Sequence, residues 1–214
     1  MTEIPRIKWP HVAIDWQPAY GVVPTRFPSV YLFDRVANAE DFEALYALEA
    51  LTNERLRDEA GLIDLVPPEE RQFGHGAGPI MAAFTHLNPL GSRFSDGSYG
   101  VFYAAQEKET ATAETRHHTS RFLAATKEAP LRVQMRLYAV DIAGDVADLR
   151  KAAATQPGIL DPDHYGEAQA LSKRLREEGA AGLVYRSVRR TGAECVAAFR
   201  TTLLRNCLHA AHPE

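Results

Sequence analysis

Apolar and polar positions alternate along 132–139, where Val133, Met135, Leu137 and Ala139 interleave with Arg132, Gln134, Arg136 and Tyr138. Successive side chains of an extended chain point to opposite faces, so this period of two predicts a half-buried strand. Residues 145–149 continue it in a looser extended form. Two more apolar runs, 181–189 and 194–200, predict strands joined by a turn at Thr191 and Gly192, and 203–208 predicts a last edge strand. Helical spacing marks other segments. Phe42, Leu45, Leu48 and Leu51 stripe a helix capped by Asn38, with Glu40 and Asp41 in its first turn, that ends near Gly61. Tyr165, Ala168, Leu171 and Leu175 line a helix within 161–179, with Gly179 as its C-cap. A third helix, over about 107–125, places Ala111, Glu114, His118, Phe122 and Ala125 on one face.

Elsewhere proline and glycine break the pattern. Pro5, Pro10, Pro18, Pro24 and Pro28 disfavour a helix near the N-terminus, which predicts an extended arm over 1–28 whose Trp9 and Trp16 dock on a body formed by 29–210. Residues 29–33 read as a short strand. The stretch 67–79 reads as loop, and its GHGAG lacks the Lys-Ser or Lys-Thr of a Walker phosphate loop, leaving a flexible, pocket-lining role. Residues 80–87 give one or two helical turns.

The densest chemistry lies in GSRFSDGSYGVFYAAQEKETATAE, 91–114. Asp96-Gly97 is a hairpin signal that pairs Arg93 with Gly100 and sends Arg93 to the face opposite Tyr103. A bulge at Gly100 would return both to one side, and the sequence leaves the two registers open. Glu114 has two readings as well. On an inward face with Phe122 it is a costly carboxylate that needs a partner. On an outward face it is half of an i,i+4 pair with His118.

Composition narrows the functional classes. With 45% hydrophobic and 24% charged residues in 214, the chain is an ordinary globular one, of one α+β domain with several short strands and helices packed around them. A formal charge of −4 argues against a broad nucleic-acid surface, though not against a small anionic ligand held by local arginines. No apolar run reaches membrane-spanning length, and Cys195 and Cys207 lie in apolar segments as reduced packing residues, so a cytoplasmic protein is expected. His117 and His118 have no third ligand at useful spacing and point about 100° apart on a helix. No metal site is expected; His118 reads as pocket-side or core and His117 as exposed.

GSRFSDGSYGVFYAA, ETATAETRHH, DPDHYGEAQALSKRLREEGAAGLVYRSVR and GAECVAAFR, taken in order, resemble the RES domain family. The likeness covers roughly the C-terminal half, more loosely back to about Phe27. It places the family's arginine on Arg93, tyrosine on Tyr103, glutamate on Glu114 and serine on Ser187. It implies a compact relative of the ADP-ribosyltransferase fold, and a bacterial toxin that consumes NAD+ and is paired with an Xre-like antitoxin.

These residue types suit that task. Cleaving the nicotinamide-ribose bond leaves an oxocarbenium-like sugar, which a fixed carboxylate such as Glu114 stabilises. Arg93 offers a donor fork for pyrophosphate, Tyr103 a flat ring and a hydroxyl, and Ser187 a hydrogen bond to the nucleotide. The expected activity is that of a type II toxin passing ADP-ribose from NAD+ to water or phosphate. A transferase that modifies a host protein uses the same residues, and a non-catalytic partner-binding module is the reading from another class. RSVR is not a nucleophile elbow, which sets aside a Ser187 hydrolase. Arg186, Arg189 and Arg190 read as a solvated basic rim that can also steer an anionic dinucleotide.

Overall fold

The computed structural model describes residues 8–25, 30–49, 58–126 and 132–211. The fold is mixed α+β, built on six strands: β1 (His11–Pro24), β2 (Phe102–Ala105), β3 (Met135–Asp148), β4 (Gly182–Arg186), β5 (Glu194–Ala198) and β6 (Leu204–Ala211). They run in the order β1-β2-β5-β4-β3-β6, and β1 also pairs with β3. Five strands therefore form a closed circuit, with β6 on the outer side of β3. All pairings are antiparallel except β3 with β4.

The N-terminal segment is extended, as its prolines require, but it is not an arm laid on a body. His11 to Pro24 pairs along most of β3, from His11↔Ala147 to Pro24↔Met135. The prolines permit this because a strand tolerates them where ladder bonds are absent. Trp9 and Trp16 are both buried, in different cores. The sheet is also less short-stranded than expected, since β1 and β3 have 14 residues each and β3 runs unbroken through 145–148.

Alternate residues of the inner strands feed the two cores. Phe102, Ala104, Val184, Val196 and Ala198 enter one, together with Phe33, Phe42, Ile80 and Met81. Ala105, Leu183, Tyr185, Cys195 and Ala197 enter the other, beneath Ala168, Leu171 and Leu175 of α4 (Gly166–Glu177). Strands buried on both faces read as continuous apolar runs, which is why FYAA, GLVYR and ECVAA lack a polar alternation.

Several local expectations change. Instead of a strand at 29–33, Leu32–Arg35 forms one helical turn that stacks Phe33 on Phe42 at 5.7 Å. Packing of those rings overrides the local β preference. Helix α1 (Ala39–Glu49) keeps its predicted cap, with the Asp41 amide donating to Asn38 Oδ1 at 2.9 Å. The side chain of its Leu48 lies outside the described part of the chain, as do residue Leu51 and the side chains of Phe122 and Ala125 in α3 (Lys108–Thr126).

GHGAG is not a free loop but the start of α2 (Ala77–Thr85). The Gly76 and Gly78 amides donate to the Asp34 carboxylate at 2.7 and 3.0 Å. A Cβ on Gly78 would stand 1.9 Å from the Val30 carbonyl oxygen, so glycine is needed for close approach rather than for phosphate. Among the described residues no helix is long and apolar enough to cross a membrane.

Candidate functional site

The hairpin lies three residues earlier than Asp96-Gly97 predicts. Ser92 pairs with Ser95, so Arg93 and Phe94 occupy the tip of the turn. Asp96 instead closes a side-chain turn, accepting from the Ser98 amide at 3.0 Å. Strand β2 pairs with β1 and β5 rather than with this segment. Gly100 forms no bulge in a hairpin: it is where the chain crosses α2, and a Cβ there would stand 2.3 Å from the Ala83 carbonyl oxygen. The choice between registers therefore rested on a pairing that does not form.

Side chains from β2, from the segment before it and from α4 hold the turn. Tyr103 takes the Phe94 amide at 2.9 Å and lies 2.8 Å from Ser92 Oγ, thus binding the residues on either side of Arg93. Tyr99 donates to the Phe94 carbonyl at 2.8 Å. From α4, Gln169 donates to the carbonyls of Ser92 and Ser95 at 2.9 and 3.2 Å. Burial raises the Tyr103 phenol well above its ordinary range, opposed by its hydrogen bonds to Ser92 and Phe94. Its hydroxyl is thus a neutral structural link, while the residue as a whole retains some accessible surface.

Arg93 is 3% exposed. Its guanidinium lies over the Tyr165 ring at 4.6 Å, and Nη1 donates to the Asp161 carbonyl at 2.5 Å. Nη2 is buried without a hydrogen-bond partner, and Arg93 makes no ion pair among the described residues. A desolvated cation with an unused donor is costly alone and is suited to receiving an anion.

Glu114 is half-buried on α3 and faces the turn after β4. Its Oε1 accepts from Ser187 Oγ at 2.6 Å and from the Val188 amide at 3.1 Å. Ser187 Oγ in turn accepts the amides of Arg189 and Arg190 at 3.1 and 3.0 Å. The serine has one O–H to give, and gives it to Glu114. The hydroxyl expected to reach a nucleotide thus orients the carboxylate instead, because the tight turn folds it back onto α3. Of the two readings of Glu114, the partnered one describes the structure.

The four predicted residues surround one region. The charges of Arg93 and Glu114 both act on Tyr185 and Cys195, and the Arg93 charge also reaches Tyr103. His118 feels Glu114, Arg93 and Arg189 together, and its ring lies 6.1 Å from Tyr165. Partial desolvation lowers its pKa, and Glu114 opposes that shift. By area His118 is the exposed member of the pair and His117 the half-buried one, the reverse of the expected order, although His118 does stand on the side of the site. The two arise from successive helix positions about 100° apart, so the facing of α3 decides which of them is covered.

Sequence reasoning missed Tyr165, which looked like the first member of an apolar stripe, and the backbone carbonyls of Asp161 and Pro162. It also grouped three arginines that differ. Arg186 pairs with Glu194 at 3.2 Å, and Arg190 pairs with Glu107 and donates to Thr110 at 3.0 Å. Arg189 donates instead to the Pro162 carbonyl at 2.7 Å. A cleft of about 800 Å³ opens beside the centre, between α3 residues that include Lys108, Arg116 and His117 on one side and Arg189 on the other. No group of three or more potential metal ligands occurs among the described residues.

The chain is 31% identical over 202 residues to the uncharacterized protein y4oC of Sinorhizobium fredii, covering 90% of this chain and 80% of that one. Among solved structures it is similar to one described as the M. tuberculosis MbcT-MbcA toxin-antitoxin complex, with a TM-score of 0.48 and 12% identity over 93% of this chain and 87% of that one. The RES domain model matches residues 69–213, which include Arg93, Tyr103, Glu114 and Ser187, and on that match the chain belongs to the RES domain family.

Proposed function

We propose that this protein is the toxin of a bacterial toxin-antitoxin pair and acts by consuming NAD+. The observation that carries the reading is a carboxylate and a buried cation around one centre, each with one unused position. Glu114 has Oε1 fixed by Ser187 and Val188, while Arg93 has Nη2 without a partner. In this reading Arg93 takes a pyrophosphate oxygen, and Glu114 Oε2 faces the nicotinamide ribose.

The bond from ribose C1′ to the nicotinamide nitrogen breaks, and its electron pair leaves with the neutral base. Positive charge develops on the sugar, where the fixed carboxylate stabilises it without reorganising. Water or phosphate then adds at C1′ and loses a proton. Ser187 acts through Glu114, and Tyr103 acts through Arg93 by fixing Ser92 and Phe94. A soluble antitoxin of Xre-like character, as family membership suggests, would restrain this activity by covering the site.

Incubating the purified protein with NAD+ carrying label in its ADP-ribose half tests the reading. Free nicotinamide and labelled small-molecule product in equal amounts are expected, and Glu114→Ala should abolish both while circular dichroism stays unchanged. With a cell extract added, label recovered chiefly on cellular protein would move the activity to transfer. No loss of NAD+ at all, together with no slowing of growth when the protein is expressed alone, would leave only a binding module.

A further inference from the structure

Arg93 is not the only guanidinium with an unused buried donor. Arg189 Nε is also buried without a hydrogen-bond partner, and Arg189, like Arg93, makes no ion pair among the described residues. The two side chains approach the 161–162 segment, Arg93 bonding to the Asp161 carbonyl at 2.5 Å and Arg189 to the next carbonyl, Pro162, at 2.7 Å. Both charges act on His118. The neighbouring arginines are ion-paired, Arg186 with Glu194 and Arg190 with Glu107, so among these four only Arg93 and Arg189 rest on neutral carbonyls without a carboxylate partner.

We infer that Arg189 is the second half of an anion clamp with Arg93, built for a phosphate or pyrophosphate group. Two planar forks converging on one short segment match an anion with several oxygens, since each fork presents donors in fixed directions. A carbonyl dipole compensates a guanidinium less than a full negative charge does, so an anion gains from both cations at once. Arg189 also lines the 800 Å³ cleft along α3, together with Lys108, Arg116 and the acidic Glu109. The backbone of Arg189 is fixed as well, because its amide donates to Ser187 Oγ, the same oxygen that orients Glu114. The clamp and the carboxylate are thereby set by one turn. This inference rests on the proposed reaction for the identity of the nucleotide, but not for the existence of the anion site.

The test is calorimetric titration of the full chain with ADP-ribose and, separately, with orthophosphate, with no turnover involved. Arg189→Gln should weaken binding by roughly 10- to 100-fold, as expected for a lost charged hydrogen bond. Arg189→Lys, which keeps the charge but not the fork, should recover part of the loss. Arg186→Gln should bind as the wild type does. A loss confined to ADP-ribose assigns the clamp to the nucleotide, and one confined to orthophosphate assigns it to a free phosphate; either supports it. Should Arg189→Gln fail to fold by circular dichroism, the Lys variant decides alone. Unchanged affinity for both ligands in the folded variants, or no binding of either by the wild type at millimolar concentration, overturns the clamp. Orthophosphate binding that depends on Arg189 in a protein that never consumes NAD+ would sink the proposed reaction and leave the clamp standing.

Discussion

The two faces of the sheet are made from the same strands yet solve different problems. On the face that receives Val184, Val196 and Ala198, the packing against α2 and the Phe33–Phe42 stack is almost wholly apolar. On the other, Tyr185 and Cys195 lie near Arg93, Glu114 and Ser187. Residues one apart in β4 therefore belong to a dry core and to a charged centre. The first face is stabilised by area removed from water, about 25 cal/mol per Å². The second has to satisfy each polar group by name, through Tyr103 for the Arg93 turn and Ser187 for Glu114. Arg93 Nη2 and Arg189 Nε remain without a partner there, and the proposed ligand would supply one.

The sharpest way to test that division is to remove function without stability. Glu114→Gln keeps the shape and should lower NAD+ consumption by a factor on the order of 10²–10³, with an unchanged thermal midpoint. Nicotinamide release measured beside a melting curve checks it, and near-normal release would remove Glu114 from the chemistry.

The converse change lies on the dry face. Ile142 is fully buried there, and Ile142→Ala should cost about 2–5 kcal/mol in denaturant unfolding. Protein that remains folded should keep its affinity for ADP-ribose. A large affinity loss would show that the faces are not separable.

Tyr103→Phe falls between these extremes. It leaves the Phe94 amide without its acceptor, a loss of about 1–3 kcal/mol, and loosens the turn that carries Arg93. A raised KM for NAD+ with stability reduced by that amount is expected, and an unchanged KM would reduce Tyr103 to packing.

Protonation gives a smaller effect. Because desolvation lowers the folded-state pKa of His118 below its ordinary 6.5, the unfolded chain binds that proton more readily. Its contribution to stability is intact above about pH 6.5 and is lost as the pH falls through the folded pKa. His118→Gln should flatten the decline in stability over that window, whereas an NMR titration at or above the ordinary value would refute the assignment.

The least conspicuous outcome concerns the thiols. Burial pushes both Cys195 and Cys207 up to about 12, the Glu114 charge adding to the first, so neither should react with iodoacetamide at neutral pH until the protein unfolds. Rapid labelling of native Cys195 would mean that the charged face is open to solvent.

The sequence by itself determined what depends on neighbours along the chain. The stripe of α4, the Asn38 cap and the continuous apolar runs of β4 and β5 all follow from local spacing, and the structure has them. The strand predicted at 132–139 forms from Met135, but its period of two does not hold, since Tyr138 of the expected polar face is buried in the core beside Val140 and Ile142. Arg93, Tyr103, Glu114 and Ser187 were legible as candidates, through the ordered motifs that resemble the family. Their partners were not. That Ser187 gives its proton to Glu114 is a contact across 73 positions, and the Arg93 bond to Asp161 spans 68. No local periodicity encodes which carbonyl lies above a guanidinium. For the same reason an arm became a sheet strand, an expected flexible, pocket-lining loop became a helix start tied to Asp34, and one member of an apparent basic rim became a buried donor. Local sequence fixes backbone preference and the face a side chain shows, and only the closed packing of β1 to β5 decides what stands opposite that face.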